Sequence, residues 1–243
     1  MKIGLVSDVF RDGNIEYNVN QIKKRLKEGS RKKIDLICFG ESFLQGFDGL
    51  SWEYHEDLSR ACSQKDDIIL SLREYASICK IALSFGYIEK DEGTIYSSNM
   101  VISDDGQIIN NYRRISPGWK EPMADTRYYK EGKGFSLFEY KGKKFTTAIC
   151  GDLWNDKNIE SIKQLKADCV LWPLYIDYSI EQWENGEKEE YALQVKEIPA
   201  PVLMINSHVD AENGAKGGCC VFLDGHVLKE LLMGNIGILE YEV

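Results

Sequence analysis

The chain has 243 residues, 43% hydrophobic and 28% charged, with a formal net charge of −9. That is an ordinary globular composition with ample length for a core. The acidic balance argues against nucleic acid as the main partner, because phosphate binding needs clustered Lys and Arg; no apolar run is long enough to span a bilayer.

In chain order, Ile3 to Val9 reads as a first strand. Asn14 caps a helix that places Ile15, Val19, Ile22 and Leu26 on one face and ends near Gly29. Its basic clusters, Lys23-Lys24-Arg25 and Arg31-Lys32-Lys33, sit among acidic residues and read as solvated faces. Ile34 to Phe39 is apolar almost throughout, as a strand buried on both faces would be, and a helix between two such strands predicts parallel pairing. A loop then runs to about Trp52. Asp66 or Asp67 starts the next helix, with Ile68, Ile69, Leu72, Tyr75 and Ala76 inward. Ile81 to Ile88 and Tyr96 to Ser103 are strands, and Asp104-Asp105-Gly106 turns the chain back through Gln107 to Tyr112. From Arg113 to Gly134 runs a polar loop of about twenty residues, longer than ordinary connections and of the kind that often carries function.

Phe135 to Tyr140 and Phe145 to Ile149 predict a hairpin around Lys141-Gly142-Lys143. The second of these strands ends abruptly at Cys150-Gly151-Asp152, and Asp156 to Leu165 is helix-like. Beyond it come a strand from Asp168 to Pro173 and a charged helix from Gln182 to Glu197, whose start Gly186 delays. Val202 to Asn206 is a strand, and antiparallel strands at Gly217 to Leu223, Val227 to Leu232 and Ile236 to Tyr241 finish the chain. Strands and helices alternate without a composition break, which predicts one α/β domain over residues 1–243.

The chemistry collects around Cys150. A strand fixes the backbone, a tight turn exposes the thiol, and the next backbone N–H groups can lower its pKa and hold an oxyanion. A buried packing cysteine is the competing reading, since free cysteine is among the most buried residue types. The seven cysteines (38, 62, 79, 150, 169, 219 and 220) are irregularly spaced, contain no CxxC pair and fit reduced thiols in a cytoplasm. The N-terminus starts a strand directly, with no basic flank and apolar core of a secretory signal. Only His55, His208 and His226 are present, scattered in sequence, so neither a zinc site nor any other metal or cofactor is expected. Glu41, the Arg113-to-Glu121 segment and Cys150 all follow strands. In an α/β sheet such strand ends converge on one edge. A carboxylate, a cation and a thiol together can run nucleophilic catalysis without histidine.

The chain resembles the nitrilase (carbon–nitrogen hydrolase) superfamily over almost its whole length. The resemblance rests on Lys2-Ile3-Gly4-Leu5-Val6, on Asp35-Leu36-Ile37-Cys38-Phe39-Gly40-Glu41-Ser42-Phe43, on Asn111-Tyr112-Arg113-Arg114-Ile115, and on Ala148-Ile149-Cys150-Gly151-Asp152-Leu153-Trp154. The tail from Gly217 to Val227 resembles the family's late hairpin. Any one stretch is weak evidence, but their order and spacing are strong evidence together.

This resemblance implies a four-layer α-β-β-α sandwich, usually a homodimer. It implies Glu41 as general base, Cys150 as nucleophile, the Gly151 N–H in the oxyanion site, and Glu121 where many members carry a second, substrate-positioning glutamate. The family's catalytic lysine falls on Arg114. Arginine keeps the charge but is bulkier, planar and never deprotonated; Lys120, in the same loop, is the alternative cation. Asp152 is open between binding substrate and capping the following helix. Trp154, Trp172 and Tyr175 are read as pocket walls or as core. The implied activity is hydrolysis of a small amide, or of a carbamoyl compound or nitrile, by a cytoplasmic enzyme with no organic cofactor. The rivals are a non-catalytic binding protein on the same fold and a Cys–His enzyme using His208.

Overall fold

The structure is a computed structural model that describes residues 1–211 and 214–243. The elements run β1 (Lys2–Ser7), β2 (Val9–Phe10), α1 (Ile15–Arg31), β3 (Leu36–Cys38), α2 (Tyr54–Arg60), α3 (Asp67–Cys79), β4 (Ala82–Asp91), β5 (Thr94–Ile102) and β6 (Ile108–Arg113). There follow β7 (Leu137–Tyr140), β8 (Lys143–Thr147), a 3-10 turn (Cys150–Trp154), α4 (Asp156–Leu165), β9 (Cys169–Leu174) and α5 (Ile180–Gln182). A π-turn (Trp183–Glu187) leads into α6 (Lys188–Gln194), β10 (Val202–Asn206), β11 (His208–Val209), β12 (Cys219–Leu223), β13 (His226–Leu231) and β14 (Gly237–Glu242).

Two six-stranded sheets carry the fold, in the orders β14-β1-β3-β4-β5-β6 and β13-β12-β10-β9-β8-β7. Each has three parallel strands at its centre, β1, β3 and β4 in one and β8, β9 and β10 in the other. Alternation along the strands sorts their side chains. Ile3, Leu5, Leu36 and Val101 from the first sheet meet Phe145, Leu171, Leu203 and Val221 from the second in one buried layer. The opposite face of the first sheet (Val6, Ile37, Leu83, Phe85) packs on Val19, Ile22 and Leu26 of α1 and Ile69, Leu72 and Ala76 of α3. The opposite face of the second (Val170, Trp172, Val202, Met204) packs on Ile159 and Ile162 of α4 and Tyr191 and Ala192 of α6. The result is the four-layer α-β-β-α sandwich.

The structure departs from the sequence reading in several places. Helix α1 runs on to Arg31, and Gly29 lies inside it because a Cβ there would come 2.8 Å from Ile81 Cδ1. Helix α2 was not anticipated. It buries only Asp57, whose carboxylate accepts from Ser51, the Trp52 N–H and Tyr129, so it lacks an apolar face to announce it. The β7–β8 turn is two residues, Lys141 and Gly142, both with positive φ (50° and 74°), which leaves Lys143 paired with Tyr140. Such a turn suits the right-handed twist of its strands. The charged helix starts earlier than expected, at Ile180, capped by Ser179. Gly186, at φ 149°, interrupts it rather than delaying it. The last strand leaves the β12–β13 hairpin and pairs antiparallel with β1 in the other sheet.

Strand directions then place the site. Because β5 is antiparallel to both β4 and β6, β6 runs with β3 and β4. The residues after β3, after β6 and after β8 therefore emerge at the carboxyl edges of the two sheets. The Glu41 N–H donates to the Leu174 carbonyl at 3.3 Å, tying the end of β3 to the end of β9.

Candidate active site

Glu41 sits immediately after β3 and is almost fully buried. Its backbone fits only because Gly86 on β4 has no side chain: a Cβ there would lie 2.4 Å from the Ser42 N and 2.6 Å from the Gly40 O. One carboxylate oxygen, Oε1, accepts from Arg114 Nη1 at 2.8 Å and from Ser97 Oγ at 3.1 Å. The other, Oε2, is buried with no hydrogen-bond partner among the described residues. A buried, unpaired carboxylate oxygen is costly and calls for a functional account.

Arg114 follows β6 and is as deeply buried as its partner. Burial opposes its charge, but Glu41, Cys150 and Asp152 outweigh that and hold the guanidinium above its ordinary value. Its Nε donates to Ser116 Oγ at 2.8 Å.

Cys150 opens the 3-10 turn after β8 with φ 43°. Left-handed backbone at a non-glycine residue costs on the order of 1–3 kcal/mol and persists where its surroundings enforce it. Two contacts do so here. Trp172 Nε1 donates to the Cys150 carbonyl at 2.9 Å, and the Ile149 N–H donates to Asp152 Oδ2 at 2.8 Å. The sulfur lies 4.0 Å from the Tyr175 carbonyl oxygen, at the limit for a thiol hydrogen bond. Burial, and then the neighbouring Glu41 carboxylate, push the thiol up to about 12, against the pull of Arg114 and the Gly151 N–H. Cys150 thus carries a neutral thiol beside Glu41.

Asp152 is fully buried and accepts four hydrogen bonds. Oδ1 takes the Ile115 and Ser116 N–H groups (3.1 and 2.7 Å); Oδ2 takes Ile149 N–H and the Tyr112 hydroxyl (2.8 and 2.7 Å). It caps the 3-10 turn and stitches the Cys150 turn to the loop bearing Arg114. The expected cap of the following helix is supplied by Asn155 instead, whose side chain accepts from the Lys157 N–H at 3.0 Å; the link to the Arg114 loop carries no sequence signal because that loop is remote in the chain.

The structure brings Glu41, Arg114, Cys150 and Gly151 together, and adds Ser97, Ser116 and Asp152. It does not bring Lys120 to them. Lys120 forms an ion pair with Glu131 and donates to the Tyr129 carbonyl at 3.2 Å, both within its own loop. Glu121 is exposed, and its side chain makes no hydrogen bond or ion pair among the described residues. Trp172 is fully buried core, so its contribution is to hold the Cys150 carbonyl rather than to face solvent. Tyr175 is half-buried and stacks on Phe47 with ring centroids 4.2 Å apart. Trp154 is exposed, edge-on to Tyr191. His208 lies in β11, its backbone N–H on the Asp8 carbonyl; no hydrogen bond joins it to Cys150 among the described residues. A cavity of about 740 Å³ opens between α2 and the β4–β5 turn, but Glu41, Arg114 and Cys150 do not line it.

No group of three or more His, Cys, Asp or Glu among the described residues could hold a metal ion. No helix among them is long and apolar enough to cross a membrane.

The family described as carbon–nitrogen hydrolase matches residues 5–190. Among curated proteins, the glutamine-dependent NAD(+) synthetase of Acinetobacter baylyi is 26% identical over 171 residues, which are 70% of this chain and 30% of that protein. The N-carbamoylputrescine amidase of Arabidopsis thaliana is 24% identical over 169 residues, 67% of this chain and 55% of the relative. The chain therefore spans only a minor part of the NAD synthetases it matches, 30% in one case and 24% in another. Among solved structures, an amidase from Nesterenkonia sp. superposes with a TM-score of 0.81 at 16% identity, covering 100% of this chain and 90% of that one. A glutamine-dependent NAD+ synthetase from Acinetobacter baumannii gives 0.79 at 22%, covering 98% and 44%. At these identities the likeness is one of fold.

Proposed function

The chain belongs to the carbon–nitrogen hydrolase family, and from that premise we propose that it hydrolyses a small amide through a thioester on Cys150. One observation carries the reading: Oε1 of Glu41 is pinned by Arg114 and Ser97, Oε2 is buried without a hydrogen-bond partner among the described residues, and the Glu41 carboxyl lies near enough to raise the Cys150 thiol. A base with one oxygen fixed and one free is oriented for a single proton transfer.

In this mechanism Glu41 Oε2 takes the proton from Cys150 Sγ as the sulfur attacks the amide carbon. With a thiol this weakly acidic, deprotonation is coupled to attack rather than preceding it. The Gly151 N–H and the Arg114 guanidinium hold the tetrahedral oxyanion. Collapse breaks the C–N bond, and Glu41 returns the proton to the departing ammonia or amine. Water then gives its proton to Glu41 and attacks the thioester. The acid departs, and Sγ is reprotonated. Residues 1–243 act here as one domain, in the cytoplasm and as a homodimer, the last of which sedimentation would check.

Ammonia release from a panel of ω-amides, small amides, carbamoyl amino acids and nitriles tests the reading. L-Glutamine comes first, because the NAD synthetases the chain resembles are glutamine-dependent by name. Turnover by the native protein is expected to vanish in Cys150→Ala and Glu41→Gln, with an acyl adduct on Cys150 visible by mass spectrometry. Turnover that survives Cys150→Ala would overturn the mechanism.

A further inference from the structure

The departure from lysine at position 114 has a structural counterpart in two neighbouring residues. Arg114 is buried, with each nitrogen in a different setting. Nη1 is on Glu41, Nε is on Ser116 Oγ, and Nη2 makes no hydrogen bond among the described residues. The position of Nη2 is set by missing side chains. A Cβ on Gly151 would stand 2.8 Å from Nη2 and 3.1 Å from Ser116 Oγ, and a Cβ on Gly118 would stand 3.4 Å from Nη2. Gly151 is not among the residues with positive φ, so space rather than backbone conformation demands glycine there. Ser116 is itself anchored, its N–H on Asp152 Oδ1 at 2.7 Å.

We propose that Ser116 and Gly151 form a seat built for arginine, which turns Nη2 of Arg114 toward the Cys150–Gly151 peptide as an oxyanion donor. Ser116 is a positioning residue: it takes Nε, fixes the guanidinium plane, and so leaves Nη2 as the only free arm. Gly151 contributes the empty space that arm occupies. A lysine carries one nitrogen, has no Nε for Ser116 to accept from, and has no second arm to fill the space beside Gly151. Positions 114, 116 and 151 are therefore a matched set, and replacing any one alone breaks the match. This rests on the hydrolase reading for its catalytic meaning, but the seat itself is a statement about residue coupling.

The test is a set of double-mutant cycles. Ser116→Ala and Gly151→Ala are each made in the native chain and in Arg114→Lys, with thermal melting to establish folding. One readout is kcat and KM on whichever amide is turned over. The other is the rate of Cys150 alkylation by iodoacetamide, resolved from the other cysteines by peptide mass. In the arginine enzyme each substitution is expected to lower kcat about tenfold with KM nearly unchanged, as loss of transition-state positioning does. In the Arg114→Lys background the same substitutions are expected to change kcat less than about twofold, which is the signature of coupled neighbours. Alkylation follows the same pattern, slowing on Ser116→Ala only when residue 114 is arginine. Equal losses in both backgrounds, or none in the arginine enzyme, would overturn the seat. A native protein that turns over no amide counts against the hydrolase reading instead, and the alkylation cycle still decides the seat. Should Gly151→Ala fail to fold, the Ser116 cycle decides it alone.

Discussion

Replacing Asp152 tests the link between the Cys150 turn and the Arg114 loop. Its carboxylate is fully buried and accepts four hydrogen bonds, three from backbone N–H groups and one from Tyr112. In Asp152→Ala those donors lose their acceptor, and each unsatisfied buried group costs about 1–3 kcal/mol. Water entering the vacated space recovers part of that, so the expected destabilisation is about 3–5 kcal/mol, a large share of a domain's whole stability. Asp152→Asn should cost less. Its oxygen can keep one pair of donors, and the Tyr112 hydroxyl can rotate to accept from the new amide. One backbone N–H is then left facing an N–H, for about 1–3 kcal/mol. Urea unfolding followed by tryptophan fluorescence and by circular dichroism measures both. The order native, Asn, Ala is the expectation, with Tyr112→Phe close to native because it removes one donor and leaves Oδ2 with another. An asparagine variant within about 0.5 kcal/mol of the native protein would show that the four contacts do not carry the weight assigned to them.

Other outcomes follow from the same geometry. Arg114→Met should lower kcat by roughly a hundredfold or more, whereas Lys120→Met, which breaks a pair inside its own loop, should leave it within about threefold; steady-state kinetics decide. Because the Cys150 thiol is pushed up to about 12, its alkylation in the free protein should rise about tenfold per pH unit from pH 7 to 10 with no plateau, and a plateau near neutrality would contradict this assignment. Thiols raised by burial also bear on stability. Cys62 stands at about 11 and Cys150 and Cys220 at about 12, against 9.0 for an ordinary thiol. The unfolded chain therefore loses these protons first, so their contribution is complete below pH 9 and is lost as pH rises toward 12. Urea titrations at pH 8 and 10.5 should show the fall. Gly86→Ala, which forces a methyl group against Ser42 N and Gly40 O, should cost activity by moving Glu41 as well as destabilising the fold, and native kcat in that variant would refute the contact.

The placement of Glu41, Arg114 and Cys150 was legible because they sit at strand ends, where period-two patterning and abrupt turns leave a mark. The run from Phe145 into Cys150 and the run from Asp35 to Glu41 both read so. Helix α4 was placed correctly because its apolar pair, Ile159 and Ile162, has helical spacing. Helix α2 was invisible for the opposite reason, since its anchor is the polar Asp57. The fate of Lys120 depended on Glu131 and the Tyr129 carbonyl, partners fixed only once the long loop folds on itself. Alternation marked β14 as a strand but could not name its neighbour, because an edge pairing across sheets is set by the layer packing. The roles of Ser97 and Ser116 were illegible as well: a lone serine carries no pattern until its acceptor or donor is placed beside it.

That edge pairing has a kinetic consequence. Strand β1 is hydrogen-bonded on one side by β3 and on the other by β14, with Lys2 opposite Glu242, and the backbone N–H of Val243 reaches the Met1 carbonyl. On a ribosome β1 is made long before β14, so that flank stays uncovered until β14 has emerged. Contacts of such sequence separation slow folding, and an uncovered edge is a template for mispairing. Folding yield should therefore be more sensitive to β14 than to any strand inside the sheets' parallel centres, and helper proteins that shield strand edges should matter most before β14 emerges.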